Sequence, residues 1–324
     1  VEPEGAPRGH WPGFAWVSAG LLANAALLTT IGFVLSCGRC FALAVRGFKF
    51  NLPLDDRNET YTDKTPSAQY NYVHMWELDY WKRFLDQMAR SRMNSLSLWN
   101  KHPFPHLVKV DDYPKAALAD VYGKQGFLGG GSDDGNKVLL EKLTIEQKIQ
   151  HWKDVMQYAQ DRGVAVSVFT WNVKVNGTED SGYGFKDGDH RPQNTKDYMR
   201  KSVRALINTY PLLAGVGATA GESFDFTDDN AVKEQWMWDT YGLGYQDAVA
   251  DMQNPSSPYF MPGRKLKFFH RAHEVNVSSI VNQFNKLPGY ADADSSLNFT
   301  YKYSQAHMHS STKPLFIEDW IKTV

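Results

Sequence analysis

Cysteine is nearly missing from this sequence: two occur in 324 residues, Cys37 and Cys40, in the spacing C-G-R-C. A single pair of this kind cannot complete a four-ligand zinc site, and no strand precedes it as a thioredoxin-like motif requires, so redox chemistry and a disulfide scaffold are not expected. Charge imbalance is missing too. The formal net charge is -1 with 22% charged residues, which provides neither a basic stripe for nucleic acid nor an acidic tail, and no nucleic-acid partner is expected. A glycine-rich phosphate turn is also absent. The first β-rich run is followed by N-L-P-L-D-D, whereas an open doubly wound nucleotide-binding sheet carries glycines there. No internal repeat or low-complexity stretch appears.

What is present is length, apolar content and aromatic rings. A chain of 324 residues with 42% hydrophobic residues can bury a large single core without staples. Aromatics make up 14%, with 10 Trp, and several Trp stand beside Asn, His or Asp. Sugar rings stack their C–H faces on aromatic planes while their hydroxyls need polar partners, so this pattern suits carbohydrate. Core packing is the alternative for any single Trp.

Residues 14–38 carry no charge and are flanked by Arg8, His10, Arg39 and Arg46. Such a stretch reads as an export signal or membrane anchor, or as a very apolar first helix. The run Val34-Leu35-Ser36-Cys37 is similar to a bacterial lipoprotein processing site. A secreted, periplasmic or membrane-anchored location is the expectation, with residues 1–45 as an apolar N-terminal segment and 46–324 as the main domain. The N-x-S/T sequons at Asn58, Asn176, Asn276 and Asn298 matter only on a eukaryotic secretory route.

From residue 46 onward, short β-rich runs alternate with amphipathic windows, the pattern of repeated βα units and a parallel sheet. Strands are predicted at 46–51, 93–99, 164–171, 212–220, 265–270 and 297–303. Helices are predicted at 75–92, at 144–161 with Thr144 as N-cap and Gly163 as the stop, at 195–210, 231–252 and 277–284, with a Gly- and Asp-rich loop over 126–136. The fold class is therefore α/β, a TIM-type (β/α) barrel. Eight strands close such a barrel, and six are countable here, so the barrel is expected to be incomplete at its C-terminus, with an open doubly wound sheet as the structural alternative.

Active sites of these barrels lie at the C-terminal ends of the strands. The residues found there are polar and aromatic: Asp55, Asp56 and Arg57; Trp99, Asn100, Lys101 and His102; Trp171 and Asn172; Glu222; Arg271, His273 and Glu274; Lys302, Gln305, His307 and His309. Glu222 is the sharpest of them, because it ends the nearly uncharged approach G-V-G-A-T-A-G-E. An apolar surround raises a carboxyl's pKa and suits it to protonating a leaving oxygen. A helix N-terminal carboxylate or a partner for an Arg is the bland alternative. Asp225, Asp228 and Asp229 lack the spacing of a calcium loop. Neighbouring strand residues alternate faces, so His270, His273, His307 and His309 offer only one His per strand to a shared metal. No metal and no cofactor is expected.

The phrases LLAGVGATAGE, HRAHE and FTYKYSQAHMHSSTKPLF resemble the α-glucuronidases of glycoside hydrolase family 67 and related barrels. The resemblance implies an inverting hydrolase that removes glucuronic acid from xylan side chains, with Glu222 as general acid, and Arg271 and Lys302 in the places of the family's fifth- and sixth-strand basic residues. Where the family has an Asp after the sixth strand, this sequence has Gln305, Ala306 and His307. The expected function is a glycoside hydrolase acting on a plant or algal polysaccharide or oligosaccharide, uronic-acid-containing chains included, with Glu222 as proton donor. Arg57, Trp99, Asn100, His102, Trp171, Asn172, Arg271, His273, Lys302 and His307 are the expected substrate contacts. The competing readings are a non-catalytic carbohydrate-binding barrel, a polysaccharide lyase and, more weakly, Schiff-base chemistry on Lys302.

Overall fold

A computed structural model describes residues 44–58, 66–124, 136–221, 224, 227–273, 275–288 and 297–300. The chain divides into two compact units, Val1–Arg46 and Gly47–Val324, and the architecture below is that of the second. Residues 14–38, Cys37, Cys40, Glu222, Glu274, Lys302, Gln305, His307 and His309 lie outside the described residues.

Strands β1 (Gly47–Asn51), β2 (Ser95–Trp99), β5 (Ala165–Trp171), β6 (Leu213–Thr219), β7 (Lys267–Arg271) and β8 (Leu297–Thr300) form one sheet in that order. Every neighbouring pair is parallel. Parallel neighbours require crossovers. All five contain helices of eight residues or more: α2 (Leu78–Arg90), α4 (Ile145–Gln160) and α5 (Gln193–Thr209), then α6 (Asn230–Met237) with α7 (Leu243–Gln253), and finally α8 (Val277–Phe284), which leads into β8. The short helices α1 (Pro66–Asn71) and α3 (Phe104–Leu107) belong to loops. No pairing between β1 and β8 occurs among the described residues.

Local chemistry accounts for the element ends. Thr144 accepts from the Gln147 backbone N–H while the Gln147 side chain accepts from the Thr144 N–H, a full capping box that starts α4. Gly163 follows that helix at φ +67°, a left-handed residue that stops it. Two expectations need correction. Residues 231–252 are not one helix: a π-helical turn at Trp238–Gly242 separates α6 from α7. Within that turn the Tyr241 hydroxyl donates to the Trp171 carbonyl at 2.6 Å. A 3.6-residue pattern cannot reveal one extra residue per turn. The other is an omission: on either side of the expected loop, most of which lies outside the described residues, β3 (Val121–Lys124) and β4 (Lys137–Glu141) form an antiparallel hairpin. Four- and five-residue strands beside Gly and Asp leave too little alternation to detect.

The sheet has two unlike faces. Leu96, Leu98, Val166, Val168, Val216, Ala218 and Phe268 point to the helices and join one large core. The opposite, concave face carries a separate cluster of Trp99, Phe169 and Trp171 with Phe269 packed on it. The register sets Trp99, Phe169, Gly217 and Phe269 side by side across four strands. Gly217 is required there, since a Cβ would lie 2.2 Å from the Phe169 ring. Trp99 stacks on Phe169 at 4.3 Å and 11°, and Phe169 meets Phe269 at 5.2 Å. Bare backbone in β6 thus lets four aromatic rings floor the barrel interior.

Candidate active site

Two cations border the concave floor, Arg271 at the C-terminal end of β7 and Lys49 midway along β1. Arg271 ends β7 in register with Thr219, which pairs with Trp171. Its guanidinium lies 5.7 Å from the Trp99 ring and 5.9 Å from that of Trp171. Lys49 of β1 places its ammonium 4.5 Å from the Trp99 centroid. Trp99 therefore has two cations near its ring, a contact favoured by its electron-rich face. The strand residues sharing this face include Lys49, Asn51, Ser97, Ser167, Thr219, Lys267 and Arg271, with no carboxylate among those described. The charged side chains among these described strand residues are all basic. Trp99 Nε1 and Thr219 Oγ1 are buried with no hydrogen-bond partner among the described residues. A buried polar atom left unmet costs about 1–3 kcal/mol, which a ligand hydroxyl can relieve.

The loops beyond β1 and β2 are built differently. Asp55, wholly buried, accepts from the Arg57 backbone N–H at 2.7 Å, from its Nε at 2.8 Å and Nη2 at 2.9 Å, and from the Tyr122 N–H at 2.8 Å. Arg57 also donates to the Ala119 and Asp120 carbonyls at 2.7 and 3.0 Å and covers the Tyr122 ring. This guanidinium braces the β3–β4 hairpin, where a sugar contact was expected of it. Asn100 donates from Nδ2 to the Leu52 carbonyl at 2.9 Å and accepts from the His102 N–H. His102 is fully buried, its Nδ1 2.9 Å from the Asn176 carbonyl and its own carbonyl accepting from Asn58 Nδ2. Burial pushes its imidazole down to about 4. The enclosed ring lies between Phe104 and Tyr198 and shapes the loop.

Below these loops Lys148, also wholly buried, donates to the Leu118 carbonyl at 2.9 Å and to that of Asp120, with His106 Nδ1 at 3.0 Å. Desolvation drops its ammonium to about 7 and holds His106 well below the ordinary histidine range. No sequence signal marked this cage, because a lysine in an amphipathic helix normally faces water. Asn172 is buried and donates to the Ala220 carbonyl at 2.9 Å. It too is a brace, and the strand exit it holds leads to Glu222. His273, half-buried, follows Arg271 by two residues. Of the expected contacts, Trp99, Trp171 and Arg271 come together on one face, whereas Arg57, Asn100, His102 and Asn172 hold the rim.

Among the described residues no group of three or more His, Cys, Asp or Glu is placed to hold a metal, and no helix is long and apolar enough to cross a membrane. An open groove between α4 and residues 210–212 lies at the entry of β6, the opposite end from these residues.

No protein-family model matches the chain, and no curated protein sequence does. Solved structures do. A GH138 enzyme targeting pectin rhamnogalacturonan II is 25% identical with a TM-score of 0.57, over 81% of this chain and 26% of that one. A GH20 β-N-acetylhexosaminidase from Streptomyces coelicolor A3(2) is 13% identical with a TM-score of 0.41, over 83% of this chain and 52% of that one. An N-acetyl-β-hexosaminidase from Streptomyces plicatus is 13% identical with a TM-score of 0.43, over the same shares. The chain thus spans 26% of the first protein's length and 52% of the other two. The architecture is α/β, a parallel sheet with alternating helices of the TIM-barrel kind that these glycoside hydrolases have.

Proposed function

We propose that this chain carries the catalytic barrel of a glycoside hydrolase acting on a plant or algal polysaccharide or its oligosaccharides, with a uronic acid at the cleaved position. The observation that carries this reading is the concave face: an aromatic floor of Trp99, Phe169, Trp171 and Phe269 beneath Arg271 and Lys49, with no carboxylate on the described strands of that face. Apolar rings accept the C–H face of a sugar, and a cationic rim selects a carboxylated one. The likeness to an enzyme targeting pectin rhamnogalacturonan II is in keeping with it. The resemblance to family 67 α-glucuronidases supports the same substrate chemistry.

In this reading Glu222 protonates the glycosidic oxygen as the bond breaks, and the anomeric carbon passes through an oxocarbenium-like state. Arg271 holds the uronate. Trp99 and Trp171, both nearly buried, supply the apolar wall behind the sugar and keep water from it. The partner carboxylate, as nucleophile or as base for water, is not among the described concave-face residues. Lys302 and His307 are assigned to hydroxyl or carboxylate contacts on sequence grounds.

The test is a reducing-end release assay on a panel of uronic-acid and neutral glycans with the full natural polypeptide and its Glu222→Gln variant. Release from uronic-acid glycans that drops on the order of 1,000-fold in the variant supports the assignment. Full activity of the variant removes Glu222 as the acid. Binding without release points to a non-catalytic carbohydrate-binding barrel, and an unsaturated product absorbing in the ultraviolet points to a lyase.

A further inference from the structure

Helix α6 presents two consecutive charged residues to the interior: Lys233 and Glu234 are only 6% and 1% exposed. Taking an ion out of water is expensive unless something compensates it, and amphipathic helices normally avoid such a pair. Glu234 has an evident partner, since its Oε2 lies 2.9 Å from His270 Nε2 on β7. Lys233 has no carboxylate partner among the described residues. Its ammonium donates to the carbonyl of Gly221 at 3.4 Å.

That carbonyl stands directly beyond β6. The preceding carbonyl, of Ala220, accepts from Asn172 Nδ2 at 2.9 Å. Two successive backbone oxygens are therefore held from opposite sides, one by the exit of β5 and one by α6. The helix is itself fixed in place. Asp229 caps it, its side chain accepting from the Ala231 N–H at 2.8 Å and its carbonyl from the Lys233 N–H at 3.0 Å. The Glu234–His270 contact then ties it to the strand that ends in Arg271. The next Cα after Gly221 is about 3.8 Å along the chain, and it belongs to Glu222.

We propose that Lys233 is a positioning residue for the acid of this site: with Asn172 it fixes the backbone at Ala220 and Gly221, the two residues that lead into Glu222 in sequence. The inference rests on the reading of Glu222 as proton donor. A buried lysine that donates to a backbone carbonyl beside a strand exit points to a role in geometry. Displacement of a reacting group by about 1 Å costs on the order of 100-fold in rate, which is the scale of the expected effect.

The experiment compares Lys233→Met, Lys233→Arg and Glu222→Gln in the full polypeptide, on a released natural oligosaccharide and on the 4-nitrophenyl glycoside of the sugar released. Nitrophenolate departs without protonation, so a fault in the acid shows on the oligosaccharide and spares the aryl substrate. Lys233→Met is expected to lower kcat on the oligosaccharide roughly 100-fold, with KM and the aryl rate within about threefold. Lys233→Arg, which keeps the charge and the donor, is expected to recover most of the rate. Equal losses on both substrates, a lower Tm with full activity per folded molecule, or no loss at all would each overturn the proposal. If Glu222→Gln is itself fully active, it is the reading of Glu222 that fails, whatever Lys233 does.

Discussion

The loops beyond β1 and β2 and the concave floor between β2 and β7 hold similar numbers of polar and aromatic side chains, yet they use them in opposite ways. In the loops, Asp55, Arg57, Asn58, Asn100 and His102, with Lys148 of α4 beneath them, direct donors and acceptors to backbone groups of the same protein. Some second atoms there, such as His102 Nε2, remain unmet, but each such side chain is already anchored through another atom. On the floor, the single polar atoms of Trp99 and Thr219 have no partner among the described residues, and Arg271 lies over two rings. Polarity at a strand end therefore means scaffold where the bonds close internally, while the floor is where the proposed recognition is to be tested.

The loop side of this contrast is broken most severely by Asp55→Ala. The buried carboxylate gathers four donors, three from Arg57 and one from Tyr122, and its loss is expected to cost about 4 kcal/mol of unfolding free energy. Urea unfolding measures this, and activity per folded molecule should persist. Acid probes the same side without mutation. The folded-state pKa of His102 is about 4 against an ordinary 6.5, so between those values the unfolded chain binds the extra proton. Stability is then full above pH 6.5 and falls as pH drops from 6.5 toward 4, by about 3 kcal/mol from this group. Urea midpoints at pH 7, 5.5 and 4.5 follow it, and His102→Asn, which can keep the donor to the Asn176 carbonyl, should flatten the slope.

The floor is expected to answer in activity instead. Arg271→Met should leave Tm within a few degrees and lower kcat/KM on uronic-acid substrates roughly 30-fold, about 2 kcal/mol, with little change on neutral glycans. A fall in Tm with unaltered kcat/KM would move Arg271 into the scaffold. Trp99→Phe sharpens the contrast at the smallest scale. It keeps a stacked ring on Phe169 and removes only the indole N–H and one ring, so KM should rise about fivefold, near 1 kcal/mol. Titration calorimetry with an oligosaccharide separates this from a folding defect.

Much of the scaffold was legible because it depends on periodicity. All six parallel strands of the sheet, the capping box at Thr144 and the α8 boundaries follow from alternation, spacing and cap chemistry that neighbouring residues impose on each other. The hairpin at Val121–Glu141 and the π-turn at Trp238–Gly242 were not, since one is held by Asp55, Arg57 and Gln69 from distant loops and the other by a hydroxyl reaching β5. Phe169 and Phe269 could have been found, as they share strand parity with Trp171 and Arg271.

The sequence alone determined the α/β alternation, the six strands and the list of groups delivered to their C-terminal ends, because each of these depends on residues a few positions apart. Which of those groups face the concave floor and which turn back to brace the rim was decided only by the tertiary structure. A side chain's partner is set by what lies across the fold: a carbonyl from another loop for Arg57, His102 and Asn172, and aromatic rings on two neighbouring strands for Arg271.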